Sequence, residues 1–231
     1  MPDRLTRTEI SAAVTDLGWR YVLGVVRTSV PVDSLAAAAG AAGVVAAAGG
    51  ADAGEHVWCD VRADRLVVSV QTRAVGWPTP SDLDLVRGIT AALADRGLAP
   101  DPGVGTGQRA VQLIEVAIDA MDIPAVRPFW KAVLGYVDEL PTSGPEGPLV
   151  DPHGQGPAVW FQHMDAPRPQ RNRIHLDVSV PHDEAADRIA ATLTAGGTLV
   201  GDEEAPAFWV LADAEGNEAC VTTWQGRDPV T

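Results

Sequence analysis

Two stretches of the chain decide its fold, EVAIDAMDIPAVRPFWKAVLG at residues 115–135 and HLDVSVPHDEAADRIAATLTA at residues 175–195. Aligned on their first residues, they place apolar residues over one another, for example Val116 over Leu176. Each copy begins with alternating apolar and polar residues, which is typical of a half-buried strand, and continues with apolar residues at helical spacing. The chain therefore contains an internal repeat of a strand followed by a helix.

Short apolar runs follow each of these helices. The first copy ends in a strand over residues 158–162, and the second ends in a hairpin with strands over 208–212 and 218–224 around a turn at 213–217. The repeat predicts an α+β domain of two tandem βαβββ units over residues 110–226.

The first hundred residues predict a different α+β module, with elements in the order α-β-β-α-β-β-α. Its helix starts are marked by Thr6 with Glu9, a capping-box spacing, and by Thr79 followed by Pro80. The clearest predicted elements are a helix over 7–17, one or two strands over 19–30, an Ala-rich helix from Pro31 or Asp33, a strand over 65–72 and a helix from Pro80.

A Pro- and Gly-rich segment, GLAPDPGVGTGQ at residues 97–108, interrupts the apolar periodicity. Its glycines lack the spacing and the preceding strand of a phosphate-binding loop. We therefore predict a first domain over 1–98, a linker over 99–109 and a second domain over 110–226.

Composition narrows the function classes. The 231 residues include 31 acidic and 17 basic residues, a formal net charge of −14, which disfavours nucleic acid and anionic membrane surfaces as partners. Only two cysteines are present, which suits a reducing cytoplasm. The apolar run at 35–51 consists of Ala, Gly and Val, and we interpret it as a small-residue helix rather than a membrane span. We expect a cytoplasmic protein that acts on a small molecule.

In the first module, Thr72, Gly76, Thr79 and Asp82 occupy a spacing that resembles a motif of the pterin-4a-carbinolamine dehydratases. The resemblance covers residues 4–95 and implies that family's fold and its reaction, the removal of a hydroxyl group from a pterin ring. That reaction needs one group that donates a proton to the leaving oxygen and another that accepts a proton.

Of the three histidine positions in that family's site, only the one at His56 holds histidine here. The resemblance implies that His56 is the acid/base, that Glu55 assists it, and that Arg73 positions the ring, because a guanidinium stays protonated. Thr72 and Trp77 would contact the substrate. The alternative is a half-buried His56 without function and an Asp82 that complements a helix N-terminus.

The second domain resembles the vicinal-oxygen-chelate superfamily, close to its glyoxalase-like branch. The resemblance covers residues 110–225 and rests on the repeat, the FW…VLG run from Phe129, the NRIHLDV segment and the DAEGNE turn. It implies a divalent metal site (Mn, Fe, Mg or Zn) on the first and last strand of each unit, with the ligands Glu115, Gln162, His175 and Glu218. The alternative is a metal-free pocket in which Glu115 and Glu218 are solvated or hydrogen-bonded and His175 donates to one of them.

Arg173 lies in a basic cluster with Arg168 and Arg171 just before the His175 strand. This cluster either clamps an anionic substrate group or pairs with some of the acidic residues.

Together these interpretations describe a 4a-hydroxytetrahydropterin dehydratase-like module joined to a glyoxalase-like domain, with a small-molecule ligand such as a pterin. Two other functions stay open, a non-catalytic protein that binds or sequesters a small molecule and a metal-dependent isomerase or lyase. Both families tend to self-associate, so the resemblances also imply a homo-oligomer.

Overall fold

The computed structural model of the chain describes residues 5–105, 110–140, 144–167 and 174–226. The chain forms two compact units, Met1–Leu113 and Ile114–Thr231.

The first unit is an antiparallel sheet, in the order β1-β2-β4-β3, with helices packed on one face. Alternate residues of β2 and β4, such as Val26 and Val68, face these helices and are fully buried. Trp19 is buried beside them, and its indole N–H donates to Thr90 Oγ1 at 2.9 Å. The elements are α1 (Arg7–Thr15), β1 (Arg20–Val22), β2 (Val25–Pro31), α2 (Leu35–Gly49), α3 (Ala53–His56), β3 (Val57–Val61), β4 (Arg65–Val70) and α4 (Pro80–Ala94).

The predicted element order is observed, and local chemistry sets most helix starts. Thr6 and Glu9 form the expected capping box at α1. The Ala-rich helix starts later than predicted, at Leu35, because Pro31 still pairs with β4 and Ser34 Oγ accepts the N–H of Ala37 at 3.2 Å. The short helix α3 and the 3₁₀ turns at 50–52 and 73–75 are not predicted by the sequence.

One stretch of the described chain, Leu35–His56, is long and apolar enough by length and composition to cross a membrane, with a mean hydropathy of 1.4. Here it comprises α2, a 3₁₀ turn and α3. The small side chains Ala38 and Ala41, together with Val45, are buried and let α2 pack closely against α4 and the sheet.

The described part of the predicted linker packs on the first unit. The backbone N–H of Asp101 donates to the carbonyl of Ser29 at 2.6 Å, beyond the point where β1 stops pairing with β2. Asp101 Oδ1 then accepts the N–H of Gly103, which closes a tight turn.

The second unit contains two βαβββ repeats, as the sequence predicts. Each repeat forms a four-stranded sheet in which the first strand pairs in parallel with the last, in the orders β5-β8-β7-β6 and β10-β11-β12-β9. The strands β5 and β9 are therefore edge strands, and α5 and α6 pack on each other. The elements are β5 (Glu115–Ala120), α5 (Ile123–Leu134), β6 (Val137–Asp138), β7 (Leu149–Val150), β8 (Ala158–His163), β9 (Leu176–Ser179), α6 (Ala185–Thr194), β10 (Thr198–Gly201), β11 (Phe208–Ala212) and β12 (Glu218–Thr222).

Side chains of the second repeat cap both ends of α5 in the first. The carboxylate of Glu215 accepts the N–H groups of Met121 and Asp122 at 2.9 and 2.7 Å. At the other end, the guanidinium of Arg188 donates to the carbonyl of Val133 at 3.1 Å. An anion at the N-terminus and a cation at the C-terminus both complement the helix dipole, so these contacts fix one repeat against the other.

The turn between β11 and β12 is held by the buried carboxylate of Asp213. Its oxygens accept the indole N–H of Trp130 at 3.0 Å, the N–H groups of Glu215 and Asn217, and the side-chain amide of Asn217. This network fixes one wall of the cavity described below.

Candidate functional site

In the first unit, His56 and Asp82 form a hydrogen-bonded pair. His56 ends α3, and its Nδ1 lies 2.8 Å from Oδ1 of Asp82 on the first turn of α4. The Asp82 side chain is fully buried, while 21% of the His56 side chain is exposed. A carboxylate in contact with Nδ1 holds a proton at that nitrogen, so Nε2 is the ring atom left to exchange protons with a ligand.

Asp82 is itself fixed by a network of donors. Its Oδ2 accepts the N–H and O–H of Thr72 at 3.1 and 2.7 Å, and the N–H and O–H of Thr79 at 2.6 and 2.9 Å. From the sequence, Asp82 is predicted as part of the Thr72–Asp82 spacing and, in the alternative, as a charge at a helix N-terminus. The structure shows that it also orients His56, and the available signal was its place in the Thr72–Asp82 spacing.

Glu55 and Arg73 lie on segments next to this pair. Glu55 precedes His56 on α3 and is exposed, and Arg73 is exposed on the 3₁₀ turn at 73–75. The Arg73 guanidinium lies 5.6 Å from the centre of the Trp58 ring. The backbone N–H of Gln71 donates to the carbonyl of His56 at 2.8 Å, which ties the two segments together.

The two other residues predicted to contact substrate in this unit differ in their surroundings. The Thr72 hydroxyl lies 3.2 Å from His56 Nδ1 and belongs to the Asp82 network. Trp77 instead packs against the N-terminal segment, where its indole N–H donates to the carbonyl of Leu5 at 3.0 Å and its ring meets Tyr21 edge-on. Arg173, predicted to bind an anionic group in the second unit, lies outside the described residues.

The second unit contains a cavity of about 580 Å³ where the edge strands β5 and β9 and the turn before β12 come together. Apolar side chains form much of its wall, and His175, Asp119, Glu215 and Glu218 add polar groups. The apolar lining consists of Val116, Ile118, Met121, Trp130, Met164, Pro167, Ile174 and Leu176, with Ala117 between them.

The strand register separates the four residues predicted to hold a metal. His175 and Glu218 lie next to each other, because the residues that follow them, Leu176 and Ala219, are paired in the parallel β9–β12 ladder. His175 and Glu218 both line the cavity.

In the first repeat, the strand partner of Glu115 is Ala158. Gln162 lies four positions further along β8, about 13 Å away at 3.3 Å per residue, and pairs with Asp119. The residue that corresponds to Glu218 is thus Ala158, which carries no donor. The structure therefore does not bring the four side chains into one ligand set, and they do not fit a single metal ion.

Glu115 instead lies near a second carboxylate, Glu139. Burial raises the pKa of Glu139, and the negative charge of Glu115 raises it further. The start of β5 therefore carries an acidic pair, Glu115 with Glu139.

A different trio of potential metal ligands does converge. The ligand atoms of His175, Asp177 and Cys220 all lie within 4.8 Å of one another. Asp177 and Cys220 are neighbours across the β9–β12 pair, and His175 lies two residues before Asp177 on the same face. Asp177 and Cys220 are not among the ligands predicted from the sequence. The available signal was their alternation with His175 and Glu218.

One known protein family matches part of the second unit. Residues 115–222 match the family of the glyoxalase-like domain. No curated protein matches the chain.

Several solved structures are similar to parts of the chain. A glyoxalase/bleomycin resistance protein/dioxygenase family enzyme from Burkholderia phytofirmans is 19% identical, covering 47% of this chain and 95% of its own, with a TM-score of 0.39. The fosfomycin resistance protein FosX from Listeria monocytogenes is 9% identical over 48% and 89% of the two chains, with a TM-score of 0.38. A transcriptional coactivator/pterin dehydratase from Brucella melitensis is 22% identical over 39% and 98%, with a TM-score of 0.35. Residues 115–222, which match the glyoxalase-like domain family, contain two βαβββ repeats.

Proposed function

We propose that the glyoxalase-like domain binds a small organic molecule in the cavity between β5 and β9. The observation that supports this proposal is the cavity itself. Its volume of about 580 Å³ lies within the range usual for small-molecule sites, about 300–1,000 Å³. Apolar walls with His175 and Glu218 at one side suit an amphipathic molecule, whose apolar part packs against Trp130 and whose polar group meets the two polar side chains.

Thermal unfolding of the full chain in the presence of a collection of small metabolites tests this proposal. A ligand at 100 times its Kd stabilises the folded state by about 2.7 kcal/mol, which is expected to raise the Tm of the second unit by roughly 10 °C. Ala117 lines the cavity, so Ala117→Phe should abolish this shift. The matched control Ala191→Phe, at an exposed position on α6, should preserve it.

A shift that survives Ala117→Phe, or that is lost in both variants, would contradict binding in this cavity. Analysis of the recovered ligand then separates two roles of the domain. An unchanged ligand supports a binding or sequestering protein, and a converted ligand supports an isomerase or lyase.

A second function is supported by the His56–Asp82 pair. We infer that the first unit dehydrates a 4a-hydroxytetrahydropterin. The imidazolium form of His56, which carries a proton on each ring nitrogen, gives its Nε2 proton to the departing hydroxyl group, which leaves as water. A second proton is then lost from the ring nitrogen to a base. Glu55, exposed on the same helix turn, is the nearest carboxylate in sequence that could accept it. Asp82 keeps the imidazole in orientation through the 2.8 Å contact to Nδ1.

An assay with the carbinolamine substrate tests this function. General acid–base groups contribute about 10²–10⁴-fold to a rate, so His56→Ala should lower the rate by that factor. His163→Ala is the control, because His163 is an exposed histidine of the second unit. The idea fails if wild type does not exceed the uncatalysed rate, or if His56→Ala reacts as fast as wild type.

A further inference from the structure

The strongest unassigned cluster is the trio of His175, Asp177 and Cys220 on the second sheet of the glyoxalase-like domain. Cys220 is 4% exposed, and its Sγ lies 3.5 Å from Nδ1 of His175. The same Nδ1 lies 3.5 Å from Oδ1 of Asp177. Half of the His175 side chain and 62% of the Asp177 side chain are exposed, so a solvated ion can reach the cluster.

These distances match the edges of a tetrahedral metal site. With Zn–S near 2.3 Å and Zn–N and Zn–O near 2.0–2.2 Å, tetrahedral angles place S and N about 3.5 Å apart and N and O about 3.4 Å apart. The two observed separations are both 3.5 Å. The third separation, between sulfur and carboxylate, lies within 4.8 Å and shortens by rotation of the exposed Asp177 side chain.

The arrangement differs from a nucleophile activated by a histidine. In a nucleophile–His–Asp triad, the two partners bind opposite nitrogens of the imidazole. Here sulfur and carboxylate both approach Nδ1. Three potential ligand atoms within 4.8 Å of one another are close enough together to share one cation.

The donor types select the ion. A thiolate, an imidazole and a carboxylate favour Zn²⁺, whereas Mg²⁺ and Mn²⁺ prefer sites made of oxygen ligands. The four residues predicted from the sequence, with two carboxylates and an amide, would have favoured the harder ions. The register therefore changes both the position of the site and its preferred metal.

We propose that His175, Asp177 and Cys220 bind a Zn²⁺ ion through Nδ1, a carboxylate oxygen and Sγ. Binding converts the Cys220 thiol to a thiolate and releases its proton to the buffer. Three protein ligands leave the fourth position of a tetrahedral ion open, as in catalytic zinc sites. His175 also lines the cavity, so the ion lies at the cavity's edge and the open position is available to a water molecule or a ligand atom. The proposal goes beyond the proposed functions, since it depends on neither the cavity's ligand nor the pterin reaction.

Isothermal titration calorimetry of the metal-free full chain with Zn²⁺ tests the site. A parallel titration with Co²⁺ provides the spectroscopic signal. We expect one ion per chain, a preference for Zn²⁺ over Mg²⁺ and Mn²⁺, and a thiolate-to-cobalt charge-transfer band. Cys220→Ser should abolish the band and weaken Zn²⁺ binding by at least about 100-fold. Removing a group that only hydrogen-bonds to a metal ligand already costs about 10–100-fold, and Cys220 is proposed as a ligand itself. Cys59→Ser is the matched control, because burial raises the pKa of the Cys59 thiol to about 11 and it belongs to the first unit.

A second pair of variants guards against misfolding of the buried cysteine variant. Asp177 is exposed, so Asp177→Asn should fold normally and still weaken Zn²⁺ binding by at least about 10-fold. Asp187→Asn, at an exposed position on α6, should bind as wild type does. The proposal is overturned if Co²⁺ binds without the charge-transfer band, if Cys220→Ser and Asp177→Asn bind Zn²⁺ as tightly as wild type, or if Glu115→Gln weakens binding more than Cys220→Ser does.

Discussion

Replacement of Asp82 by alanine should destabilise the first unit far more than an ordinary helix substitution. Asp82 is fully buried, and its two oxygens accept five hydrogen bonds, from Thr72, Thr79 and His56. Loss of the carboxylate leaves these donors without their acceptor. Surface aspartates in helices lack such a set of partners.

The magnitude follows from the donors that cannot find another partner. The hydroxyls of Thr72 and Thr79 lie 3.0 Å apart and can bond to each other, and the partly exposed imidazole of His56 can turn to solvent. The backbone N–H groups of the two threonines are left, and each part-buried unsatisfied donor costs about 1–3 kcal/mol. We expect a loss of about 4 kcal/mol, a large part of the roughly 5–15 kcal/mol typical of a domain.

Differential scanning calorimetry of the full chain measures this effect. At about 4–8 °C per kcal/mol for a domain near this size, Asp82→Ala should lower the Tm of the first unit by roughly 15–30 °C. Asp84→Ala is the matched control on the same helix, since Asp84 is 79% exposed and forms a 2.6 Å ion pair with the exposed Arg87. Exposed pairs contribute about 0.2–1 kcal/mol. Equal Tm values for the two variants would refute the reasoning.

Three further outcomes are expected in the second unit. Gly135 ends α5 with φ +68°, and a Cβ there would lie 3.0 Å from a guanidinium nitrogen of Arg188. Urea unfolding should therefore show that Gly135→Ala destabilises the protein by about 1–2 kcal/mol. The control Gly144→Ala should not, because a Cβ at Gly144 meets open space. Asp213→Ala should remove about 3 kcal/mol and shift the fluorescence of Trp130, whose indole N–H loses its acceptor; an unchanged spectrum and Tm would argue against the turn network. Partial burial raises the pKa of Asp151, but backbone N–H donors of its own loop outweigh this and lower it. The stabilisation by the Asp151 carboxylate is thus present above the unfolded pKa of about 3.9 and is lost as the pH falls through the folded pKa. Asp151→Asn should therefore flatten the dependence of the free energy of unfolding on pH below about pH 4. Urea unfolding at a series of pH values measures this dependence.

Much of the fold follows from local sequence. The capping pair Thr6 and Glu9, the helix start at Pro80 and the alternation along β5 depend on residues close together in the chain, and the structure confirms them. The repeat also predicted that both halves of the second unit share one topology, because similar periodicity produces similar strands and helices.

The candidate sites were less predictable, because each depends on which strand residues meet. The sequence selected Gln162 as a counterpart of Glu218, but pairing with β5 places Ala158 there and Gln162 beside Asp119. A shift of a few positions along a strand moves a side chain by more than the reach of a metal ion, and single-sequence patterns do not specify that shift.

By itself, the sequence determined the order of the main helices and strands of the first unit, and that the second unit repeats. Only the tertiary structure decided that Asp82 orients His56 and that Cys220 lies beside Asp177 and His175. The reason is physical, since apolar spacing and capping act over a few residues, whereas the meeting of polar side chains distant in sequence depends on strand register and on how helices pack against the sheet.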